Sequence, residues 1–169
     1  KKLFETYMLE DQRYILNRII DLLDDERPDA VLIAGDVYDR ANPTADAMEL
    51  LDEFLSALAL RGICTMIISG NHDSPEQLAY ASRFLENRNI HISPVYNGHI
   101  EPIALSDAYG EVCFWLMPYV HPDSVGGFFA DQTIRNAQDA AQAVIGEMRV
   151  DPNKRNVILS HQFIIGGTT

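Results

Sequence analysis

The chain has 169 residues, 47% hydrophobic and 22% charged, a composition that suits one globular domain with a sizeable core. Its net charge of −12, with 13 Lys and Arg against 25 Asp and Glu, excludes a free-standing electrostatic nucleic-acid binder, because phosphate neutralisation needs clustered basic side chains. No run approaches the roughly 18 apolar residues of a membrane span. Lys1-Lys2-Leu3-Phe4-Glu5 also lacks the apolar stretch of a signal peptide, so the expectation is a soluble, cytoplasmic protein.

The first predicted element is a helix over residues 9–25, with Ile15, Leu16, Ile19, Ile20, Leu22 and Leu23 at helical spacing and Pro28 at its exit. Residues 30–34, Ala-Val-Leu-Ile-Ala, form a continuous apolar run that predicts a buried parallel strand. Asn42-Pro43-Thr44 supplies caps for a second helix with Met48, Leu51, Phe54, Leu55 and Leu58 on its apolar face, ending near Gly62. A strand over 63–69 follows. Ser74 as N-cap and Pro75 at the first helical position predict a helix over 75–87 that turns Leu78, Phe84 and Leu85 inward. From Asn89 the pattern changes to short strands at 90–92, 100–105 and 112–117, the last two joined by a hairpin turn at Asp107-Ala108-Tyr109-Gly110. That suggests an antiparallel extension to a second sheet. Residues 118–127 read as loop, 131–148 as helix, and 156–160 as a strand that ends at His161. Cys64 and Cys113 fall on apolar strands without a C-x-x-C spacing and read as core thiols of a reducing compartment.

Chemistry-bearing residues recur at strand ends. Gly35-Asp36-Val37-Tyr38-Asp39 follows one apolar run and Gly70-Asn71-His72-Asp73 follows the next. In an open α/β sheet, the carboxyl ends of adjacent parallel strands form the ligand crevice, so Asp36, Asn71 and His72 are expected to converge. A hard divalent cation takes carboxylate and amide oxygens with some imidazole, and a two-metal site needs a carboxylate that bridges ions about 3.5–4 Å apart. Asp36 is the candidate bridge, Asn71 can offer its amide oxygen, and His72 can hydrogen-bond a phosphate or protonate a leaving oxygen. Taken alone, Gly-Asp is an ordinary turn pair and Asn-His an Asx turn with a solvated imidazole. The two strings one β-α-β unit apart are far more specific. His91, His99 and His121 lack such a context and read as locally satisfied or solvated.

The strings G-D-x-x-D at 35–39 and G-N-H-D at 70–73 resemble the signature of the calcineurin-like metallophosphoesterases. Within that superfamily, residues 32–40, 68–76 and 159–163 are most similar to the nuclease component of a bacterial DNA repair complex, and the likeness extends over nearly the whole chain. The resemblance implies an α/β fold, a two-sheet sandwich flanked by helices. It implies two divalent metal ions, Mn²⁺ or Mg²⁺, with Asp36 bridging them, Asn71 and His161 ligating one, and His72 assisting phosphodiester cleavage. Asp39 and Asp73 fit positioning roles, with structural turn-capping as the alternative. DNA ends and hairpins are the implied substrates, an SMC-like ATPase the implied partner, and a homodimer the implied assembly. The helices after Thr44 and Pro75, with Leu60, Leu78 and Phe84, are the interface candidates.

Two motifs of the family pattern are missing. The first, Asp-x-His at the end of a strand, belongs before Lys1, and the terminal Gly-His-x-His belongs beyond Thr169. On this reading residues 1–169 are a partial domain of a longer protein, because deleting a central strand would leave unpaired backbone groups within a sheet. A small phosphoester as substrate and a non-catalytic scaffold role remain as competing readings.

Overall fold

The computed structural model describes residues 2–3 and 6–163. It begins with two short antiparallel strands that the sequence does not suggest, β1 (Lys2–Leu3) and β2 (Thr6–Tyr7). In helix α1 (Leu9–Glu26), the stripe Leu16, Ile19, Ile20 and Leu23 packs on the core. Ile15 and Leu22, expected on the same face, stand at its margin and are exposed.

Strand β3 (Ala30–Ala34) leads through helix α2 (Ala45–Leu60) to β4 (Cys64–Ile68). Thr44 caps α2 as expected, its side-chain oxygen accepting the Ala47 N–H. The buried face of α2 is Leu50, Phe54, Leu55 and Leu58, with Leu51 beside it, while Met48 points to solvent. The single helix expected over 75–87 is two, α3 (Pro75–Leu78) and α4 (Ser82–Glu86). Ala81, at φ 61°, breaks the hydrogen-bond ladder between them. Leu78 is buried and Leu85 packs against the core, whereas Phe84 is 69% exposed, contrary to its predicted inward orientation. Strand β5 (Ile90–Ile92) completes a parallel sheet in the order β3-β4-β5.

The second sheet begins with β6 (Ile103–Asp107), later than predicted because Pro102 has no N–H to donate to a ladder. It pairs antiparallel with β7 (Gly110–Met117) across the predicted turn. The stretch read as loop contains helix α5 (Pro122–Val125) and a 3-10 turn, Gly126–Phe128. His121 caps α5. Its Nδ1 accepts the Asp123 N–H at 3.4 Å, and its own N–H donates to Ser124 Oγ at 3.1 Å. Helix α6 (Ala137–Glu147) starts later than Asp131 because Asn136 caps it by accepting the Asp139 N–H. Strand β8 (Arg155–Ser160) then pairs parallel with β7.

Side-chain alternation assembles the layers. All of β4 is buried. Its Ile67 faces α2 with Leu58 and Leu78, while Cys64, Met66 and Ile68 face Leu116 and Leu159 of the second sheet. Beyond the second sheet, Cys113, Trp115 and Met117 pack on Ala140, Ala143 and Val144 of α6. The molecule is therefore the expected two-sheet sandwich flanked by helices. Cys64 and Cys113 are free and buried, and desolvation raises both thiols above the ordinary cysteine value. Among the described residues, no helix is long and apolar enough to cross a membrane.

Candidate metal centre

Three strand tips, from both sheets, meet at one end of the sandwich. After β3 the chain turns through two consecutive left-handed residues, Gly35 at φ 87° and Asp36 at φ 50°. Glycine takes that conformation freely and aspartate is among the few other residues that tolerate it. Close packing adds a second constraint. A Cβ on Gly35 would lie 2.6 Å from His161 Nδ1, and one on Gly70 would lie 2.3 Å from both Asp36 N and Asp36 Oδ1. These glycines let the tips after β3, β4 and β8 touch.

The contacts of His161 define its chemistry. Its Nδ1 is 2.7 Å from the Ala34 carbonyl oxygen, an obligatory acceptor, so Nδ1 carries the proton. In the neutral ring Nε2 then presents a lone pair, 3.1 Å from Asn71 Oδ1 and 3.5 Å from Asp36 Oδ1. An amide oxygen and a carboxylate oxygen thus both lie within 3.5 Å of the imidazole nitrogen. Protonating the ring or turning the amide would relieve that juxtaposition, and a divalent cation satisfies all three groups at once. The donor set is the one a hard ion such as Mn²⁺ or Mg²⁺ takes. Among the described residues, no group of three or more His, Cys, Asp and Glu side chains has a metal-holding arrangement, so the amide of Asn71 is what makes this a three-donor cluster.

His72 sits beside the cluster. Its backbone N–H donates to Asp36 Oδ1 at 3.1 Å, and its ring Nδ1 donates to the Asp39 carbonyl at 3.0 Å. Asp39 therefore orients the imidazole through its backbone, while its carboxylate lies 3.6 Å from Arg40. The sequence pattern points to Asp39 without indicating that its carbonyl is the contact. Asp73 is buried, and its carboxylate accepts the N–H groups of Val37 at 3.1 Å, Tyr38 at 2.8 Å and Gly70 at 2.8 Å. Burial, reinforced by the Asp73 charge, raises the Tyr38 hydroxyl above the usual tyrosine value. Tyr119 meets the His161 ring edge-on at 6.5 Å.

A cleft of about 810 Å³ opens beside this loop, with Val37, Tyr38, Asp39 and Arg40 along one side and Leu16, Leu50 and Phe54 among its walls. His91 and His99 instead line a smaller cavity of about 260 Å³, with Ser93 and Ile103. Together with the capping role of His121, this agrees with their reading as residues outside the centre.

Residues 9–166 match the calcineurin-like phosphoesterases, and the chain belongs to that family. It is 36% identical over 163 residues to the SbcD component of the nuclease SbcCD from Staphylococcus saprophyticus, covering 95% of this chain and 42% of that protein. The corresponding SbcD protein of Staphylococcus epidermidis is 36% identical over 165 residues, covering 96% of this chain and 43% of the relative. The chain thus spans about two-fifths of the length of the curated relatives it matches.

Proposed function

We propose that this chain carries part of the catalytic centre of a metal-dependent DNA phosphodiesterase, an SbcD-like nuclease that acts on DNA ends and hairpins. The observation that carries the reading is that Asn71 Oδ1 and Asp36 Oδ1 lie 3.1 and 3.5 Å from His161 Nε2 at the strand tips. Asp36, Asn71 and His161 are the residues that would hold the divalent ions, with the Asp36 carboxylate able to serve both. Bound there, Mn²⁺ or Mg²⁺ supplies Lewis-acid stabilisation of the charge that develops on the phosphoryl oxygens. Loaded with two divalent ions, the strand-tip site would gain about four positive charges, which reconciles an acidic chain with a polyanionic substrate.

His72 is the proton-transfer residue. The Asp39 carbonyl holds Nδ1–H, so Nε2 is the atom that gains or gives a proton; the protonated ring gives it to the leaving oxygen as the phosphodiester breaks. Asp39 and Asp73 position the loops rather than react. An SbcC-like, SMC-family ATPase is the proposed partner, and a homodimer the proposed assembly. Leu60 and Phe84, 88% and 69% exposed, are the dimer contacts, whereas Leu78 belongs to the core.

The test uses the full-length protein. Calorimetric titration with Mn²⁺ and cleavage of a short single-stranded DNA are compared between the wild type and Asp36→Ala. The variant is expected to lose tight Mn²⁺ binding and cleavage together. Wild-type turnover by Asp36→Ala would overturn the assignment.

A further inference from the structure

Asp36 holds a backbone conformation that side-chain-bearing residues rarely adopt, φ 50°, and something must hold it there. The two residues that follow it, Val37 and Tyr38, donate their N–H groups to Asp73 Oδ2 and Oδ1, at 3.1 and 2.8 Å. Gly70, which precedes Asn71, donates to Asp73 Oδ2 at 2.8 Å. One buried carboxylate thus fastens the loop that presents Asp36 to the loop that presents Asn71. Its partners here are backbone dipoles, which hold the loops without cancelling charge next to the cation site.

We infer that Asp73 is a positioning residue for the metal centre: it sets the separation and aim of Asp36 and Asn71 while touching neither ion nor substrate. The inference rests on the metal-centre reading above. Its consequence is specific. Replacing one carboxylate oxygen with an amide NH₂ puts a donor against backbone donors at the junction of the loops, so the two ligands drift apart while the sandwich core is untouched.

The experiment compares full-length wild type, Asp73→Asn and Asp36→Ala for Mn²⁺ affinity by calorimetry, for Tm by circular dichroism, and for DNA cleavage across a Mn²⁺ titration. Folded Asp73→Asn is expected to bind Mn²⁺ about 10- to 100-fold more weakly. Its cleavage should recover as Mn²⁺ is raised, a rescue that a lost catalytic group would not show, and a metal-free Tm near wild type separates it from a simple loss of stability. Should Asp73→Asn fail to fold, Asp73→Ser, which keeps one acceptor oxygen on a smaller side chain, carries the same comparison. Wild-type Mn²⁺ affinity in the folded variant would overturn the inference and leave the metal centre standing. Unchanged Mn²⁺ affinity in Asp36→Ala would overturn both.

Discussion

The two ends of the sandwich use carboxylates in opposite ways. At the start of β8, Arg155 grips Asp107 at 2.6 and 2.9 Å, and Lys154 pairs with Glu111. These are partly exposed acid–base pairs whose charges cancel in solvent. At the other end, beyond β8, Asp73 is buried and accepts backbone N–H groups from both ligand loops. The same functional group is neutralised where it only joins strands and is held by dipoles where its charge stays available. The difference separates an acid that pairs with a base in solvent from one that ties two loops together through their backbone N–H groups.

Substitutions at the tips should therefore have large effects and those at the base small ones. The largest expected effect is on turnover. His72→Ala in the full-length protein should slow DNA cleavage by about 10²-fold or more while calorimetric Mn²⁺ binding stays near wild type. A parallel loss of Mn²⁺ binding would mean that His72 is a ligand rather than a proton donor.

An intermediate effect is expected at Gly70. Gly70→Ala places a methyl group 2.3 Å from Asp36 N and Oδ1, so the loop must move. Overpacking of this kind costs about 1–3 kcal/mol, and denaturant melts should show it together with weakened Mn²⁺ binding. A melt and a Mn²⁺ titration both equal to wild type would show that the loops are not in the contact described.

The smallest effect belongs to the base. The Arg155 guanidinium, helped by the Tyr109 N–H, holds the Asp107 carboxyl below its ordinary value. A depressed carboxylate contributes stability that is fully present above its unfolded pKa of about 3.9 and is lost as pH falls through the folded value. Arg155→Ala should lower Tm slightly at pH 7, less than Gly70→Ala, because exposed ion pairs contribute little. The gap from wild type should close as pH drops below about 4. A gap that stays constant at low pH would locate the effect in lost packing instead.

Much of this arrangement can be read from local sequence. The apolar run of β4 is buried throughout, as a strand covered on both sides should be, whereas β3, expected to be buried, is only partly so, with Leu32 40% exposed. Thr44 and Ser74 cap helices as their positions suggest. The glycines before Asp36 and Asn71 mark the tips. What escapes prediction depends on contacts distant in sequence or on single backbone angles. Nothing around Ala81 announces a left-handed residue, so periodicity predicts one helix where two exist and turns Phe84 the wrong way. The Ala34 carbonyl that fixes the His161 tautomer is 127 residues away along the chain. The grip of Asp73 on Val37 and Tyr38 likewise spans two loops that no periodicity connects.

The hydrogen bond from His161 to Ala34 joins the second sheet to the first. In the interior between these sheets, Met66, Ile68 and Cys64 pack against Leu116 and Leu159, greasy surfaces that resist separation but specify direction poorly. Together with the Tyr119 N–H, which donates to the Ser69 carbonyl at 2.8 Å, the His161 hydrogen bond works as an alignment pin at the tips, converting the relative slide of the sheets into the distance between Asn71 and His161. Volume changes in that interior, such as Met66→Leu or Leu116→Met, would then be felt at the tips as a change of bite, though neither side chain is part of the cluster there. The geometry of the centre is in this sense a property of how the halves are stacked as much as of the residues that line it.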